Sequence, residues 1–407
     1  MAARFPNSLE DVRWASIVPL VGGMTIGASH ALNSLPDVIY SYPDFAGNDS
    51  YLKNYMPTVP FKTIGSMHDP MPGHRRGLHA VFSLCPCAGL SMLSPFKRDD
   101  PRRAMKNAWM LATSEAVLRD VQPVLLAGEN AQQLATGMGQ GVRHAMRDLA
   151  DRYGYTLVVT KTSSVLAGLP QKRDRAFYYF FRGKAPELAA VGTGGRVQSV
   201  LERLNEVRKT AGRQDDPTWQ IKLTEDPLYI FLKERFEGRW RTAGGINEPV
   251  NDAFQAVLRT GLMDEFCERF PLGVKPPGLY THGQVQMVHR LRAKKAEGKH
   301  LGVYAQPPIL PRGDGWYPAV TAKTAERLVH PTEDRYLTYR EVASGLMDLP
   351  ATFKLPGLRE WNVICQNVPV ATAKHAVEIT LPWLLKQQSA TRGHHVADLV
   401  RGRELPI

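Results

Sequence analysis

Between about Ser16 and Phe181, six short apolar runs alternate with amphipathic stretches, and this alternation leaves few folds open to the chain. The runs "ASIVPLVGG", "DVIYSY", "HAVFSL", "PVLLAG", "TLVVT" and "AFYYFF" read as buried strands. Between "HAVFSL" and "PVLLAG", Met105, Ala108, Ala112 and Ala116 recur at helical spacing, and Pro123 marks the stop. Strands alternating with helices imply a doubly wound α/β sheet of Rossmann type, whose ligands sit in the crevice at the carboxyl ends of the strands. Chemistry is therefore expected just past those strands.

The character changes after Gly183. "GKAPELAAVGTGGR" is loop-like, and the next hundred or so residues mix short helical patterns with basic and aromatic clusters such as "KERFEGRWR", "HRLRAKKAEGKH" and "PRGDGWY". Side chains of this kind serve phosphate and base contacts together, although a solvated charge run explains any one cluster as well. "DRYLTYREVASGLMDLP" then resumes a strong helical pattern, and "TAKHAVEITLPWLLKQ" predicts a final amphipathic helix. The expected division is residues 1–183 as a catalytic domain, 184–334 as a smaller second domain, and 335–407 as a bracing segment whose last helix returns to the first.

Lys and Arg total 51 against 39 Asp and Glu, a net charge of +12 that favours a polyanionic partner. Four scattered cysteines are too few for a disulfide framework and fit a reducing compartment, so a cytoplasmic location is expected. The start "MAARFPNSLEDVRW" lacks a basic segment followed by an apolar core. No apolar run reaches the roughly 18 to 20 residues that span a bilayer. Neither secretion nor membrane insertion is expected.

"FSLCPCAGLS" sets Cys85 and Cys87 around a proline at the end of a strand. Cys87 has three readings. It is a zinc ligand with Cys85 and His74 or His79, a buried apolar residue, or a nucleophile that needs polar groups converging from elsewhere. Such groups stand at strand ends. "PVLLAGENA" runs into Glu129 and Asn130, where burial with few charges nearby would let the carboxyl share or donate a proton. "GLPQKRDRAFYYF" places Gln171, Arg173 and Arg175 at alternate positions, which predicts side chains facing one way. Glu129 as a helix cap, and arginines paired with Asp151 or Asp174, are the plainer alternatives.

Pro-Cys, then Glu-Asn 42 residues on, then Gln-x-Arg-x-Arg another 42 on, resembles the DNA cytosine-5 methyltransferase family. "PCAGLS", "AGENAQQL" and "GLPQKRDR" are similar to three of its blocks. "RYLTYRE" at 335–341 and "QNVPV" at 366–370 are similar to two later ones, in the family's order. The resemblance implies a methyl donor, S-adenosylmethionine, on the α/β domain and a target-recognition domain after the Gln-x-Arg-x-Arg strand. Double-stranded DNA would be the partner, with a flipped cytosine as substrate, no metal, and a monomer acting in a bacterial or phage-infected cell, in restriction-modification or self-marking. By the family's pattern, Cys87 attacks C6, Glu129 engages N3 and Arg175 holds O2. Arg173 steadies the flipped nucleotide, Ser91, Gln171 and Arg340 lie on the DNA side, and Asn367 supports the donor side.

The amino-terminal match departs from the pattern. "SIVPLVGGMTIGASHAL" keeps Gly22, Gly23 and Gly27 of the donor-binding segment, but Ser16 stands at its acidic position and Leu20 at its first glycine. The ribose-binding acid falls at about Tyr42, with Asp44 two residues on, and the acid near adenine at about Ser66, with Asp69 close by. Each lost charged hydrogen bond costs roughly 1.5 to 3 kcal/mol. This asymmetry keeps open a changed one-carbon donor, such as a folate or an aldehyde giving a hydroxymethyl product. A catalytically silent DNA-binding relative is the third alternative.

Overall fold

A computed structural model describes residues 5–18, 20–43, 46–66, 69–72, 77–85, 87, 89–91, 101–188, 197–211, 227–235, 261–273, 281–299, 315–321, 328–333, 335–355 and 361–385. The chain divides into two compact units. The first comprises Met1–Ala167, Asp174–Gly195 and Asn367–Ile407, and the second Gly168–Arg173 and Arg196–Gln366.

In the first unit the apolar runs form β1 (Trp14–Ile17), β2 (Val38–Ser41), β4 (Ala80–Leu84), β5 (Leu125–Ala131) and β6 (Tyr155–Ser163), with β3 (Phe61–Thr63) between β2 and β4. The chain then lends β7 (Gln171–Lys172) to the second unit and returns as β8 (Asp174–Arg182). The sheet order is β3-β2-β1-β4-β5-β8-β6. Six strands run parallel, and β8 alone runs antiparallel to its neighbours β5 and β6. β1, β4 and β5 are buried along their whole length, as the unbroken apolar runs require of strands covered on both faces. The short β3, half-exposed over "FKT", carries no apolar run to announce it.

Helices α1 (Gly23–Leu32), α2 (Ala46–Tyr55), α3 (Pro101–Ala116) and α4 (Gln140–Tyr153) connect these strands. The helix expected before Pro123 is present as α3, but its inward face differs from the expected stripe. Of the expected residues Ala116 is buried, but Met105 is 54% exposed and Ala108 is exposed, whereas Met110, Thr113 and Ser114 are buried. Two of these three are hydroxyl residues with buried partners, so an apolar count points to the wrong side. The final helix predicted over "TAKHAVEITLPWLLKQ" is also corrected. It is two pieces, α10 (Val370–Glu378) and α11 (Leu381–Leu384), because Pro382 opens a new helix rather than continuing one. α1 and α10 pack through small residues: a Cβ on Gly27 would meet Ala373 Cβ at 2.6 Å.

The second unit holds α5 (Val200–Ala211), α6 (Pro227–Arg235), α7 (Leu262–Arg269), α8 (Thr281–Ala296), β9 (Tyr317–Pro318) and α9 (Trp361–Gln366). β7 pairs with β9 in parallel. The helical pattern in "DRYLTYREVASGLMDLP" resolves into a wide π-helical turn, Glu341–Leu346, opened by reciprocal capping. Thr338 N donates to Glu341 at 2.7 Å and Glu341 N to Thr338 Oγ1 at 3.1 Å. Arg335 closes this cap with two 2.8 Å bonds to the Glu341 carboxylate. Among the described residues, no helix is long and apolar enough to cross a membrane.

Candidate active site

β4 carries the chain to the Cys-Pro-Cys corner. Leu84 is its last ladder residue, directly opposite Glu129 of parallel β5. Cys85 follows, fully buried, and burial pushes its thiol above the usual range. Cys87 is partly exposed, and its carbonyl accepts from Leu90 N at 3.0 Å and Ser91 N at 2.8 Å, so the loop turns sharply at the second cysteine. The two thiols are thus unequal: one lies in the core, the other at a strand-end turn where a reagent reaches it.

β5 continues as a strand through Asn130 and Ala131, so Glu129 is a strand residue and not a helix cap. Because β8 runs antiparallel, its amino end meets the carboxyl end of β5, with Arg175 opposite Ala131. Arg175 Nε stands 2.6 Å from Glu129 Oε1; the carboxylate side chain is 4% exposed and the guanidinium 16%. Arg175 Nη1 also donates to Asp174 O at 2.8 Å. The expected carboxyl with few charges nearby is therefore corrected: its neighbour across the sheet is a guanidinium. Chemically, the site offers a thiol, a buried acceptor and a charged planar donor at one end of three adjacent strands.

The predicted alternation of Gln171, Arg173 and Arg175 does not hold, because the chain changes sheets between them. Gln171 is wholly buried in the second unit, where its amide accepts from Val320 N at 3.2 Å and donates to Leu346 O. Arg173, 1% exposed, donates to Val320 O at 2.5 Å. Arg340 donates to Phe353 O at 2.8 Å in the same unit. Of the residues expected to meet at the base, the structure pairs Glu129 with Arg175 and sets Gln171 and Arg173 into the framework of the second unit.

At the donor side, β1 passes into α1 through a turn of left-handed residues: Val18 (φ 52), Leu20 (φ 51) and Gly22 (φ 105). Leu20, at the expected first-glycine position, keeps a glycine-like backbone without glycine. Gly23 N donates to Asn367 Oδ1 at 3.2 Å, and a Cβ on Gly23 would lie 1.9 Å from Val368 O. The expected acidic positions hold neutral hydroxyls with internal partners. Ser16 Oγ is 2.6 Å from Thr25 Oγ1, and the Tyr42 hydroxyl is 3.0 Å from Thr113 Oγ1, its ring 4.6 Å from that of Trp109. Burial pushes the Tyr42 phenol up to about 12. Ser66 is exposed, with the Asp69 carboxylate folded back beside Gly65, and Asp44 lies outside the described residues.

Two buried polar atoms near this turn have no partner among the described residues: Asn367 Nδ2 and Ser41 Oγ at the end of β2. Together with the close-packed Gly23, they fit a polar ligand seated at the carboxyl ends of β1 and β2, as S-adenosylmethionine would be. Sequence reasoning missed Thr25 and Thr113, since a hydroxyl partner distant in the chain leaves no local signal. It also missed Gly128, although a glycine inside a buried strand signals close approach of another group. Among the described residues, no group of three or more His, Cys, Asp or Glu side chains converges as a metal site would. His79 Nδ1 accepts from Arg13 N at 2.9 Å, and His74 lies outside the described residues.

A family model for C-5 cytosine-specific DNA methylases matches residues 80–378, from the start of β4 to the end of α10. The chain belongs to that family. The matched span holds Cys87, Glu129, Arg175 and Asn367, whereas β1 to β3 and the glycine turn precede it. Among solved structures, a protein described as a DNA modification methyltransferase encoded within a prophage (E. coli) is 15% identical with a TM-score of 0.52, over 92% of this chain and 100% of that one. The Entamoeba histolytica methyltransferase EhMeth is 9% identical with a TM-score of 0.53, over 92% and 98%. At these identities the likeness is one of fold: an α/β methyltransferase-like sheet. Among curated proteins, none matches the chain in sequence. As a C-5 cytosine-specific DNA methylase, the chain is a DNA cytosine methyltransferase.

Proposed function

We propose that this methylase acts on a cytosine rotated out of duplex DNA, with Cys87 as nucleophile and the Glu129–Arg175 pair as the base-binding wall. The observation that carries it is the 2.6 Å pair at the strand ends beside the Cys87 turn. Cytosine C5 is a poor nucleophile, so electrons must first enter the ring, and C6 is out of reach while the base is stacked. The Cys87 thiolate forms a bond to C6. Glu129 hydrogen-bonds or protonates N3 and Arg175 donates to O2, so the negative charge driven into the ring meets prearranged partners; C6 becomes saturated and C4–C5 takes up the double bond of an enamine whose nucleophilic carbon is C5. S-adenosylmethionine, when bound, would supply the methyl group: its S–CH3 bond breaks as the C5–CH3 bond forms, and the neutral thioether leaves. Loss of the C5 proton then expels Cys87 and restores the aromatic ring. On the donor side, Gly22, Gly23 and Asn367 would hold the amino-acid end of the donor, with Tyr42 and Ser66 along the same strand ends. Ser91 and Arg340 belong to the DNA side.

The neutral Ser16–Thr25 and Tyr42–Thr113 pairs favour a second reading, in which the cytosine chemistry is the same but the one-carbon donor is a folate or an aldehyde. Digesting treated DNA to nucleosides and weighing the modified cytidine, with and without S-adenosylmethionine, tests both. A 5-methylcytidine that depends on S-adenosylmethionine is expected. A hydroxymethyl product formed without it establishes the second donor, and no modified cytidine under any donor removes both.

A further inference from the structure

Gly128 of β5 lies directly under Tyr178 of β8: a Cβ on Gly128 would stand 2.2 Å from the Tyr178 hydroxyl and 2.3 Å from Cζ. The ring therefore crosses β5 in the space a side chain would fill and delivers its hydroxyl to β4. There it hydrogen-bonds Cys85 Sγ at 3.7 Å, and Cys85 Sγ bonds Ser83 Oγ at 3.4 Å. Ser83 of β4 and Ser114 of α3 lie buried at the same place, and burial holds the Tyr178 phenol well above its ordinary value. Every member is at most 5% exposed.

A phenol in a dry core is tolerated only when its hydroxyl is bonded. Three of the neighbouring rings on β8, Phe177, Phe180 and Phe181, carry no hydroxyl, so burial of an aromatic surface alone does not call for tyrosine at 178. What the hydroxyl adds is a tie at a particular place. The β4 ladder ends at Leu84, and Cys85 is the first residue beyond it, two before Cys87. The strut starts on the strand of Arg175, passes beside Glu129 and ends on that first unladdered residue.

We propose that Tyr178 is a positioning residue for the reaction, fixing through Cys85 where Cys87 stands relative to Glu129 and Arg175. It touches no substrate, and its catalytic consequence rests on the reading of Cys87 as nucleophile given above. The test compares wild type with Tyr178→Phe, Cys85→Ala, Cys85→Ser and the Tyr178→Phe/Cys85→Ala double variant, all as full chains. One readout is the rate of covalent adduct formation, with S-adenosylmethionine supplied, on duplex DNA of mixed sequence in which 5-fluorocytosine replaces every cytosine, followed by mass of the Cys87 peptide; after methyl transfer the C5 fluorine cannot leave as the proton does, so Cys87 stays bound. The other is alkylation of Cys87 by iodoacetamide without DNA, with buried Cys267 and Cys365 as internal folding reporters.

Tyr178→Phe is expected to slow adduct formation about tenfold with unchanged duplex affinity, since a displaced nucleophile loses orientation and not binding. It should also raise Cys87 alkylation about threefold, because a loosened corner is easier to reach, while Cys267 and Cys365 stay protected. Cys85→Ala should match it, the double variant should be no slower than the slower single, and Cys85→Ser, which keeps a hydrogen-bonding partner, should recover most of the rate. Wild-type values of both rates in Tyr178→Phe overturn the proposal, as does a rise in alkylation that extends to Cys267 and Cys365. If wild type forms no adduct while Cys87 alkylation still responds to Tyr178→Phe, the strut stands and Cys87 as nucleophile falls.

Discussion

Glu129 and Arg175 meet at 2.6 Å across two neighbouring strands that run in opposite directions, one at its carboxyl end and the other at its amino end. In an all-parallel sheet the chain would enter β5's neighbour at the far edge, and no residue at the amino end of that strand could stand beside Glu129. The single reversed strand thus delivers a guanidinium to the crevice where ligands of α/β sheets bind. The carboxylate is the more buried partner, and the guanidinium covers its one close approach from the neighbouring strand.

Glu129→Gln keeps the shape of the wall and removes its charge. Methyl incorporation into DNA is expected to fall about 100- to 10,000-fold, the range for losing a positioned acid or base. Arg175→Ala should lose activity and also cost about 3 kcal/mol of stability in urea unfolding, because it strands a buried carboxylate. Equal stability of the two variants would argue against a buried ion pair.

Gly23→Ala puts a methyl group 1.9 Å from Val368 O and 2.5 Å from Asn367 Nδ2. Val368 O is backbone and cannot swing aside as a side chain can, so the α1 terminus must shift. A loss of about 1 to 3 kcal/mol is expected, read as a lower thermal midpoint. Donor affinity, measured by calorimetry with S-adenosylmethionine, should weaken in the same variant.

Gln122 closes the helical segment after α3 with φ 51, its N–H bonded to Val117 O at 3.0 Å. A glycine adopts that conformation freely and keeps the backbone bond. After the entropy glycine adds to the unfolded chain, Gln122→Gly should still stabilise by about 0.5 kcal/mol. Thermal melting checks the sign.

The second unit should weaken in acid in two stages. His330 is held below its ordinary 6.5, first by burial and then by Arg335, and its Nδ1 accepts from Glu333 N at 3.1 Å and Thr332 N at 3.3 Å. With a depressed folded value, protonation favours the unfolded chain, so stability is lost as pH falls from 6.5 through the folded value. Burial tends to raise the Glu341 carboxyl, but the Arg335 hydrogen bonds and charge outweigh it and hold it below 4.5. Its contribution is present above 4.5 and lost as pH falls through the lower folded value. Urea unfolding from pH 8 to 3 should show both losses, and His330→Gln should remove the first.

Much of the first unit was legible because its strands are buried on both faces and so appear as unbroken apolar runs, each ending where a polar residue emerges. Cys87, Glu129 and Arg175 stand out for the same reason: each is a polar residue bordering such a run, the first two after it and Arg175 before it. Tyr178, Thr25 and Thr113 give no such sign, since each is defined by a partner on another element. The α3 stripe misled because its buried face uses Thr113 and Ser114, hydroxyls that count as polar until their partners are known.

By itself, the sequence determined the α/β alternation, the corner at Cys87 and the order of the reactive blocks, because periodicity and turn chemistry are local. Only the tertiary structure decided the rest. It reversed β8 to bring Arg175 onto Glu129, switched the chain between sheets at Arg173, paired Ser16 with Thr25 and Tyr42 with Thr113, and laid Tyr178 across Gly128 onto Cys85. Each of these depends on which strands become neighbours, and that is settled by packing the whole sheet at once and not by any one stretch of chain.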